Sequence, residues 1–178
     1  FVNIATTGNG DNFGSLVRPR TYIASGIASP TRGMWHGGNS PTTEKLIDFV
    51  TISTFGDAVE FGNLITQRNS HSGCSNSTRG LIVSGQDPSN LNSIEFITIA
   101  SEGDATDFGD ISTNARDYQG SLASATRGVN AGGQTPTKIN VIEFMTISTA
   151  GNATDFGDLT VARRFLQGCS DVHGGLAQ

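Results

Sequence analysis

A unit of about 47 residues recurs almost four times along the 178-residue chain, and this repeat constrains the fold more than any other feature. Three landmarks keep one period of 47 or 48 residues, which is too regular to arise by chance. A Thr-Arg-Gly sequence ends at Gly33, Gly80 and Gly128. An Ile-acid-Phe sequence begins at Ile47, Ile94 and Ile142, and a Phe-Gly pair begins at Phe13, Phe61, Phe108 and Phe156. Such a period is typical of architectures whose units bury apolar surface against neighbouring units.

Each unit predicts four short strands joined by turns. An apolar run, such as 81–83, leads to a glycine pair and then to a variable polar loop. The next segment alternates apolar and polar residues with period 2 at 46–54, 93–101 and 141–149, as a strand with one buried face does. A run ending in Phe-Gly, and then an arginine followed by a small or apolar residue, complete the unit. Four antiparallel strands in tandem units of this length are typical of β-propeller blades.

The order of the landmarks resembles the kelch repeat. The glycine pair that ends the apolar strand is present as Gly37-Gly38 and Gly132-Gly133, with Ser84-Gly85 between them. The acid–aromatic pair of that family matches Asp48-Phe49, Glu95-Phe96 and Glu143-Phe144. The later aromatic–leucine pair matches Phe61 and Leu64, Phe108 and Ile111, and Phe156 and Leu159, with Phe in place of the usual Trp. The amino-acid sequence of the repeat also resembles repeat arrays in structural and tail-fibre-like proteins of marine bacteriophages.

The predicted fold is therefore all-β: a kelch-like β-propeller of four-stranded antiparallel blades, either incomplete or closed by neighbouring copies. The whole chain, 1–178, is expected to be one repeat domain. It divides into a partial blade at 1–32, blades at 33–79, 80–127 and 128–174, and the start of another at 175–178. Because the first residues align with the middle of a strand, we expect part of a longer chain or one of several copies that close a ring. A four-bladed closure is the alternative.

Charge and hydropathy disfavour two classes of partner. The net charge is −5 and there is no basic run, so the chain is not expected to bind nucleic acid. No apolar run approaches the length that spans a membrane, so no membrane insertion is expected. The chain opens on Phe1 rather than on Met, which indicates processing or a fragment of something longer.

Two loops are rich in oxygen ligands of the kind that calcium favours. Their candidate ligands are Asp104, Asp107, Asp110, Asp155 and Asp158. The spacing is not that of an EF-hand loop, and Asp and Asn also bond the backbone of turns. Turn chemistry is the favoured interpretation and a bound calcium ion the alternative; no other cofactor is expected.

Nothing in the sequence predicts catalysis. His36, His71 and His173 lie at different repeat positions, so a metal site would have to be assembled across blades. There is no Gly-x-Ser-x-Gly sequence around a nucleophile. Copper-radical oxidases use kelch-type propellers, but the tyrosines here, Tyr22 and Tyr118, lack the context of their dedicated site. An enzyme is the least favoured class.

For the repeated arginines and the two cysteines, a structural role is favoured over a functional one. The repeated arginines are expected to bond neighbouring carbonyls or to pair with Asp48, Glu95 and Glu143; they are Arg32, Arg79 and Arg127, and Arg68, Arg116 and Arg163. Cys74 and Cys169 fill one slot in two non-adjacent units and are interpreted as small buried residues rather than a disulfide.

Ligand contacts are expected where the scaffold does not repeat. The candidates are Trp35, His36 and Asn130. Trp35 is the best single candidate for a ligand contact, although core filling is the favoured interpretation of this residue. The resulting expectation is a non-enzymatic structural or adhesive module, a virion or fibre component located outside the cell or on a virion. Its loops would contact a host surface, a glycan, other protein subunits or copies of itself. The alternative is a glycan- or protein-binding propeller on a cell surface.

Overall fold

The computed structural model of the chain describes residues 1–2, 5–23 and 26–169, and every regular element within them is a β-strand. The all-β prediction is confirmed. Over the same residues, no helix has the length and apolar character needed to cross a membrane.

The strands form three four-stranded antiparallel sheets, each running in chain order from one edge to the other. Sheet 1 contains β1 (Ile27–Ala28), β2 (Arg32–His36), β3 (Leu46–Thr51) and β4 (Val59–Asn63). Sheet 2 contains β5 (Ser72–Ser75), β6 (Arg79–Val83), β7 (Ser93–Thr98) and β8 (Thr106–Asp110). Sheet 3 contains β9 (Gly120–Ala123), β10 (Arg127–Ala131), β13 (Val141–Thr146) and β14 (Thr154–Asp158). A small hairpin, β11 (Gln134–Thr135) and β12 (Thr137–Lys138), lies in the loop between β10 and β13.

The sheets are offset from the repeat units read along the sequence. Each sheet takes its first strand from the end of the unit before it, because the Thr-Arg-Gly landmark lies at a tight turn between the first and second strands. In this turn the backbone N–H of the arginine donates a hydrogen bond to a side-chain oxygen three residues earlier: Arg32 to Ser29, Arg79 to Asn76 and Arg127 to Ser124. This turn closes the hairpin that joins the two strands.

The Phe-Gly landmark marks a β-bulge in every sheet. The register shifts between Ile47 and Asp48 in β3, and at the equivalent position in β7 and β13. The extra residue on the fourth strand is the Phe, whose ring packs edge to face on the Phe of the third strand. A bulge redirects the side chain at that position, and here it gives each sheet an aromatic pair.

Two apolar clusters hold the sheets together, and sheet 2 lies between the other two. In the first cluster, Met34, Ile47 and Phe61 of sheet 1 pack on residues of sheet 2 such as Ile82 and Ile97. In the second, the opposite face of sheet 2 packs on sheet 3; its members include Leu81, Ile94 and Phe108, with Met145 and Ile147. Each fully buried side chain of this size contributes roughly 1.5–3 kcal/mol. We call the face directed at the preceding sheet the front face and the opposite one the back face.

The burial expected of the Ile-acid-Phe isoleucines is confirmed for Ile47 and Ile94, which are inaccessible to solvent. Ile142 is half-buried rather than solvent-exposed. Its sheet is the last described, so no further sheet covers its back face within the described residues. The three sheets are open rather than joined into one closed barrel.

Candidate functional site

A buried acid–arginine pair lies at each described junction between units. The arginine belongs to the segment that enters a sheet, and the acid belongs to the third strand of the unit that follows. The pairs are Arg20 with Asp48, Arg68 with Glu95 and Arg116 with Glu143, and all six side chains are almost completely shielded from solvent. The expected pairing of the arginines is confirmed for Arg68 and Arg116.

These carboxylates also fix the chain that crosses between sheets. Glu95 accepts hydrogen bonds from the backbone N–H groups of Ile65, at 2.8 Å, and Thr66, at 3.1 Å. Glu143 accepts one from Ser112 N–H at 2.6 Å. Burial raises the pKa of Asp48 despite the opposing charge of Arg20, and burial lowers the pKa of Arg116 to about 10. Because no substrate can reach these groups, their role is to hold the junction.

The glycine pair lets the entering segment approach the sheet. Gly37 adopts a φ of 60°, and a Cβ placed on it would lie 2.4 Å from the Arg68 carbonyl oxygen. Gly38 N–H then donates to that carbonyl at 2.9 Å. In the middle unit, Ser84 adopts the same left-handed conformation, with a φ of 56°. The glycine doublet and its Ser-Gly variant therefore form the same junction.

A second set of arginines reaches from one sheet to the next. Arg32 donates to the Ile99 carbonyl at 2.7 Å, and Arg79 donates to the Ile147 carbonyl at 3.2 Å. Each guanidinium also lies over an aromatic ring of its own sheet. Arg127 lies over the Phe144 ring in the same way, at 4.5 Å. The predicted bonding to neighbouring carbonyls is confirmed for Arg32 and Arg79.

In the loops that carry the calcium candidates, one position contacts the preceding sheet; Asp104 and Asn152 occupy it. Asp104 Oδ1 accepts a hydrogen bond from Asn63 N–H at 2.8 Å, and Asn152 Oδ1 accepts one from Asp110 N–H at 3.0 Å. The other candidates, Asp107, Asp155 and Asp158, are solvent-exposed. Over the described chain, no group of three or more His, Cys, Asp and Glu side chains is arranged to hold a metal ion. A calcium ion at these loops stays a prediction.

The structure brings His36 and His71 together at the junction of sheets 1 and 2. His36 Nδ1 lies 2.7 Å from His71 Nε2, and neither ring is accessible to solvent. Burial, reinforced by the charges of Arg20 and Arg68, lowers the pKa of His36 to about 3. Burial also lowers the pKa of His71 well below its usual value. The pair is therefore neutral; His173 lies outside the described residues.

The three candidate ligand contacts do not form one site. Asn130 is fully buried on β10, where its amide lies 3.2 Å from Ser72 Oγ and 3.0 Å from Ser121 Oγ. His36 is equally inaccessible. Trp35 is half-buried and lines an open groove, so it is the one member of this set that a ligand could touch.

Two of the grooves along the sheets bear on ligand binding. A polar groove of about 240 Å³ runs along the first strands, where residues 72–75, 119–123 and 166–168 lie side by side. An apolar groove of about 480 Å³ lies on the front face of sheet 1, between Trp35, Val50 and Ile52 on one side and Phe1 and Phe13 on the other.

The two cysteines differ in environment. Cys74 is buried in the core between sheets 2 and 3, and burial raises the pKa of its thiol to about 12. Cys169 is exposed, which corrects the expectation that both cysteines are buried. The reason is that Cys169 follows the last described sheet and has no neighbouring core. Both thiols are free, as the sequence predicted.

Sequence reasoning missed the histidine pair because the two residues occupy different repeat positions. One signal could have revealed it: His36 ends the second strand of one sheet, and His71 directly precedes the first strand of the next. His36 and His71 meet because the glycine pair that follows His36 is hydrogen-bonded to the segment that leads into sheet 2.

These contacts define a tandem-repeat protein of packed four-stranded antiparallel sheets, whose repeated polar groups bond one sheet to the next. No protein-family model matches the chain, and no curated protein matches it.

Proposed function

We propose that this chain is a non-enzymatic structural or adhesive repeat module whose sheets are blades of a kelch-like propeller. In this proposal the sheets are a rigid scaffold in a virion or fibre component. The loops after the glycine pairs contact a host surface or a partner subunit.

One observation carries the proposal: the groups that recur in every unit bond the sheets, whereas the loops beside them vary. Three loops of equal length, 39–45, 86–92 and 134–140, connect the second and third strands. Their sequences are NSPTTEK, QDPSNLN and QTPTKIN. Variation carried by a fixed scaffold is the usual arrangement of a binding surface.

The propeller assignment is supported by the arrangement of the first strands. Ser121 Oγ lies 2.7 Å from Ser72 Oγ, and Ser75 Oγ donates to the Ala28 carbonyl at 2.8 Å. The first strands of successive sheets therefore lie next to one another, as the inner strands of propeller blades do.

A loop graft tests the function. The chain would be applied to an array of immobilised bacterial and animal glycans, beside a variant in which residues 134–140 are replaced by NSPTTEK. We expect saturable binding without chemical change of the glycan, and loss of binding by the graft at an unchanged melting temperature. Product formation that is lost on replacing a polar loop residue would overturn the non-enzymatic proposal. Absence of binding to the array would leave the subunit-binding role, tested by binding to the virion or fibre that carries the chain.

The alternative is a glycan-binding propeller that uses the polar groove instead of the loops. The groove favours this because serine and glutamine side chains and the backbone of several glycines line it. A Gln167→Trp substitution at its exposed rim would then abolish glycan binding, whereas the loop graft would leave binding intact.

A further inference from the structure

We propose that copies of this chain associate head to tail, with the back face of sheet 3 of one copy seated on the front face of sheet 1 of the next. The proposal deepens the structural role given above and rests on it. Its template is the interface that the chain already builds twice, between sheets 1 and 2 and between sheets 2 and 3.

The back face of sheet 3 exposes apolar residues whose counterparts are buried in the other sheets. Phe156 is 58% exposed, whereas Phe61 and Phe108 are 4% and 2% exposed. Leu122 is 43% exposed, whereas Cys74, in the same slot, is 5% exposed. The surface that covers these positions in sheets 1 and 2 is the front face of another sheet of the same repeat.

The polar groups of that face are also free to bond a further sheet. The carbonyls of Phe108 and Asp110 accept hydrogen bonds from Gly151 and Ala153 of the next turn, at 2.7 and 2.8 Å. Phe156 and Asp158 present the same carbonyls from β14. A Cβ on Gly109 would lie 2.7 Å from the Gly151 backbone, whereas nothing lies within 4 Å of one on Gly157.

The front face of sheet 1 is the complementary surface. Ile52 is 47% exposed, whereas its counterparts Ile99 and Ile147 are 1% and 0% exposed. Ile52 lines the apolar groove of about 480 Å³ beside Trp35 and Val50. In sheets 2 and 3 this position is filled by the back face of the preceding sheet. The chain therefore carries both halves of one interface on opposite faces.

One segment of the same chain already occupies the outer edge of that front face. Phe13 and Ser15 accept hydrogen bonds from Gly56 and Ala58, at 3.0 and 2.8 Å, and Ser15 N–H donates to Asp57. Residues 155–159 repeat the Phe-Gly sequence of residues 12–16 and present the same backbone groups. When the two copies associate, β14 of one copy takes the place of residues 13–16 of the other. The hydrogen bonds made by β14 then replace the equivalent hydrogen bonds of residues 13–16. The apolar area buried beside them is the gain.

An interface between two different faces is heterologous. It closes into a ring if the rotation between copies permits and otherwise extends into a filament. Since both halves of the interface belong to this chain, the partner is a second copy of it. Each copy offers its front face to one neighbour and the back face of its sheet 3 to another.

Sedimentation velocity over a concentration series tests the proposal. We expect the wild-type mass to rise with concentration above that of one chain. Phe156→Asp and Ile52→Asp should each stay monomeric and fold, because both residues are exposed in the single chain. Thr154→Asp is the matched control, because the equivalent Thr106 stays exposed where a sheet packs alongside, so this variant should assemble as the wild type does.

Mixing the two monomeric variants tests the direction of the interface. Phe156→Asp retains an intact front face and Ile52→Asp an intact back face, so the mixture should form a one-to-one dimer and nothing larger. A wild-type chain that stays monomeric at millimolar concentration would overturn the proposal, as would a mixture without dimers. The monomeric variants keep the loops, so their glycan-array binding reports on the proposed function separately.

Discussion

His36 and His71 share one hydrogen bond in a site closed to water, with 2.7 Å between Nδ1 of the first and Nε2 of the second. The two outward nitrogens, His36 Nε2 and His71 Nδ1, have no partner. Whichever ring donates, one N–H is therefore left buried without an acceptor, which costs roughly 1–3 kcal/mol. The pair therefore lowers the free energy of unfolding, and its contribution should depend on pH.

Acidification should destabilise the fold through this pair. The pKa of His36 is about 3 in the folded chain and 6.5 ordinarily, so between these values the unfolded chain binds protons that the folded chain does not. Stability is therefore full above pH 6.5 and falls as the pH drops, by roughly 1 kcal/mol per pH unit for each histidine. Urea unfolding at pH 7, 5.5 and 4.5 measures this slope.

The matched variant is His36→Val with His71→Gln, which installs the residues that the junction of sheets 2 and 3 uses. There, Gln119 Nε2 donates to the Val83 carbonyl at 2.8 Å. The double variant should show a flatter dependence of unfolding free energy on pH. Equal slopes for the two proteins would contradict the assignment of the acid sensitivity to this pair.

Removing the charge of Glu95 should destabilise the chain strongly. A Glu95→Gln substitution keeps the shape but leaves the buried Arg68 guanidinium without its counter-charge, and broken buried pairs typically cost about 3–5 kcal/mol. Glu44→Gln is the control, because its partner Arg18 is 46% exposed and such pairs contribute less than about 1 kcal/mol. Chemical denaturation of the variants provides the comparison.

The same junction should tolerate loss of both charges better than loss of one. Arg68→Met with Glu95→Leu removes the unpaired ion that Glu95→Gln leaves behind. The double variant should be more stable than Glu95→Gln alone. If it is less stable, the hydrogen bonds lost at the junction outweigh the unpaired charge; these are the bonds of Arg68 to the Ser84 and Ser93 carbonyls and those of the Ile65 and Thr66 N–H groups to Glu95.

Glycine at the bulge should be required only where a neighbouring turn approaches. Gly109 and Gly157 have nearly equal φ values, 142° and 141°, so the backbone strain of alanine is the same at both. At Gly109 the new Cβ would lie 2.7 Å from the Gly151 backbone, whereas at Gly157 it would meet open space. Gly109→Ala should lose roughly 1–3 kcal/mol more than Gly157→Ala. Similar melting temperatures, measured at monomeric concentrations, would refute the close-approach role.

The two thiols should differ sharply in reactivity. The Cys74 thiol is buried with a pKa of about 12, whereas Cys169 is exposed. Because the thiolate is the reactive form, an aromatic disulfide reagent should modify one thiol quickly in the native chain and the second only after unfolding. A Cys169→Ser variant should lose the fast phase alone. A fast phase that survives this substitution would show that Cys74 is accessible.

Much of the scaffold could be predicted from local pattern. The period-2 alternation at 46–54 and its repeats became the third strands, whereas the bulge at each Phe-Gly emerged only from the strand pairing in the structure. The pairing of Arg68 and Arg116 with acids followed from their recurrence, because a charge present in every unit serves the unit. Of the candidate ligand contacts, only Trp35 retains accessible surface, since the front face to which it belongs has no complete sheet in front of it.

The sequence by itself determined the period, the strands and the kinds of residue at each junction, because these depend on patterns within one unit. The tertiary structure alone decided which hairpin joins which sheet, that His36 meets His71, and which copies of a repeated position are covered. Phe108 and Phe156 stand in identical local sequence, Ala-Thr-Asp-Phe-Gly-Asp, yet Phe108 is 2% exposed and Phe156 is 58% exposed. Burial depends on the neighbouring sheet, and repetition within the chain cannot specify what lies beyond its outermost faces.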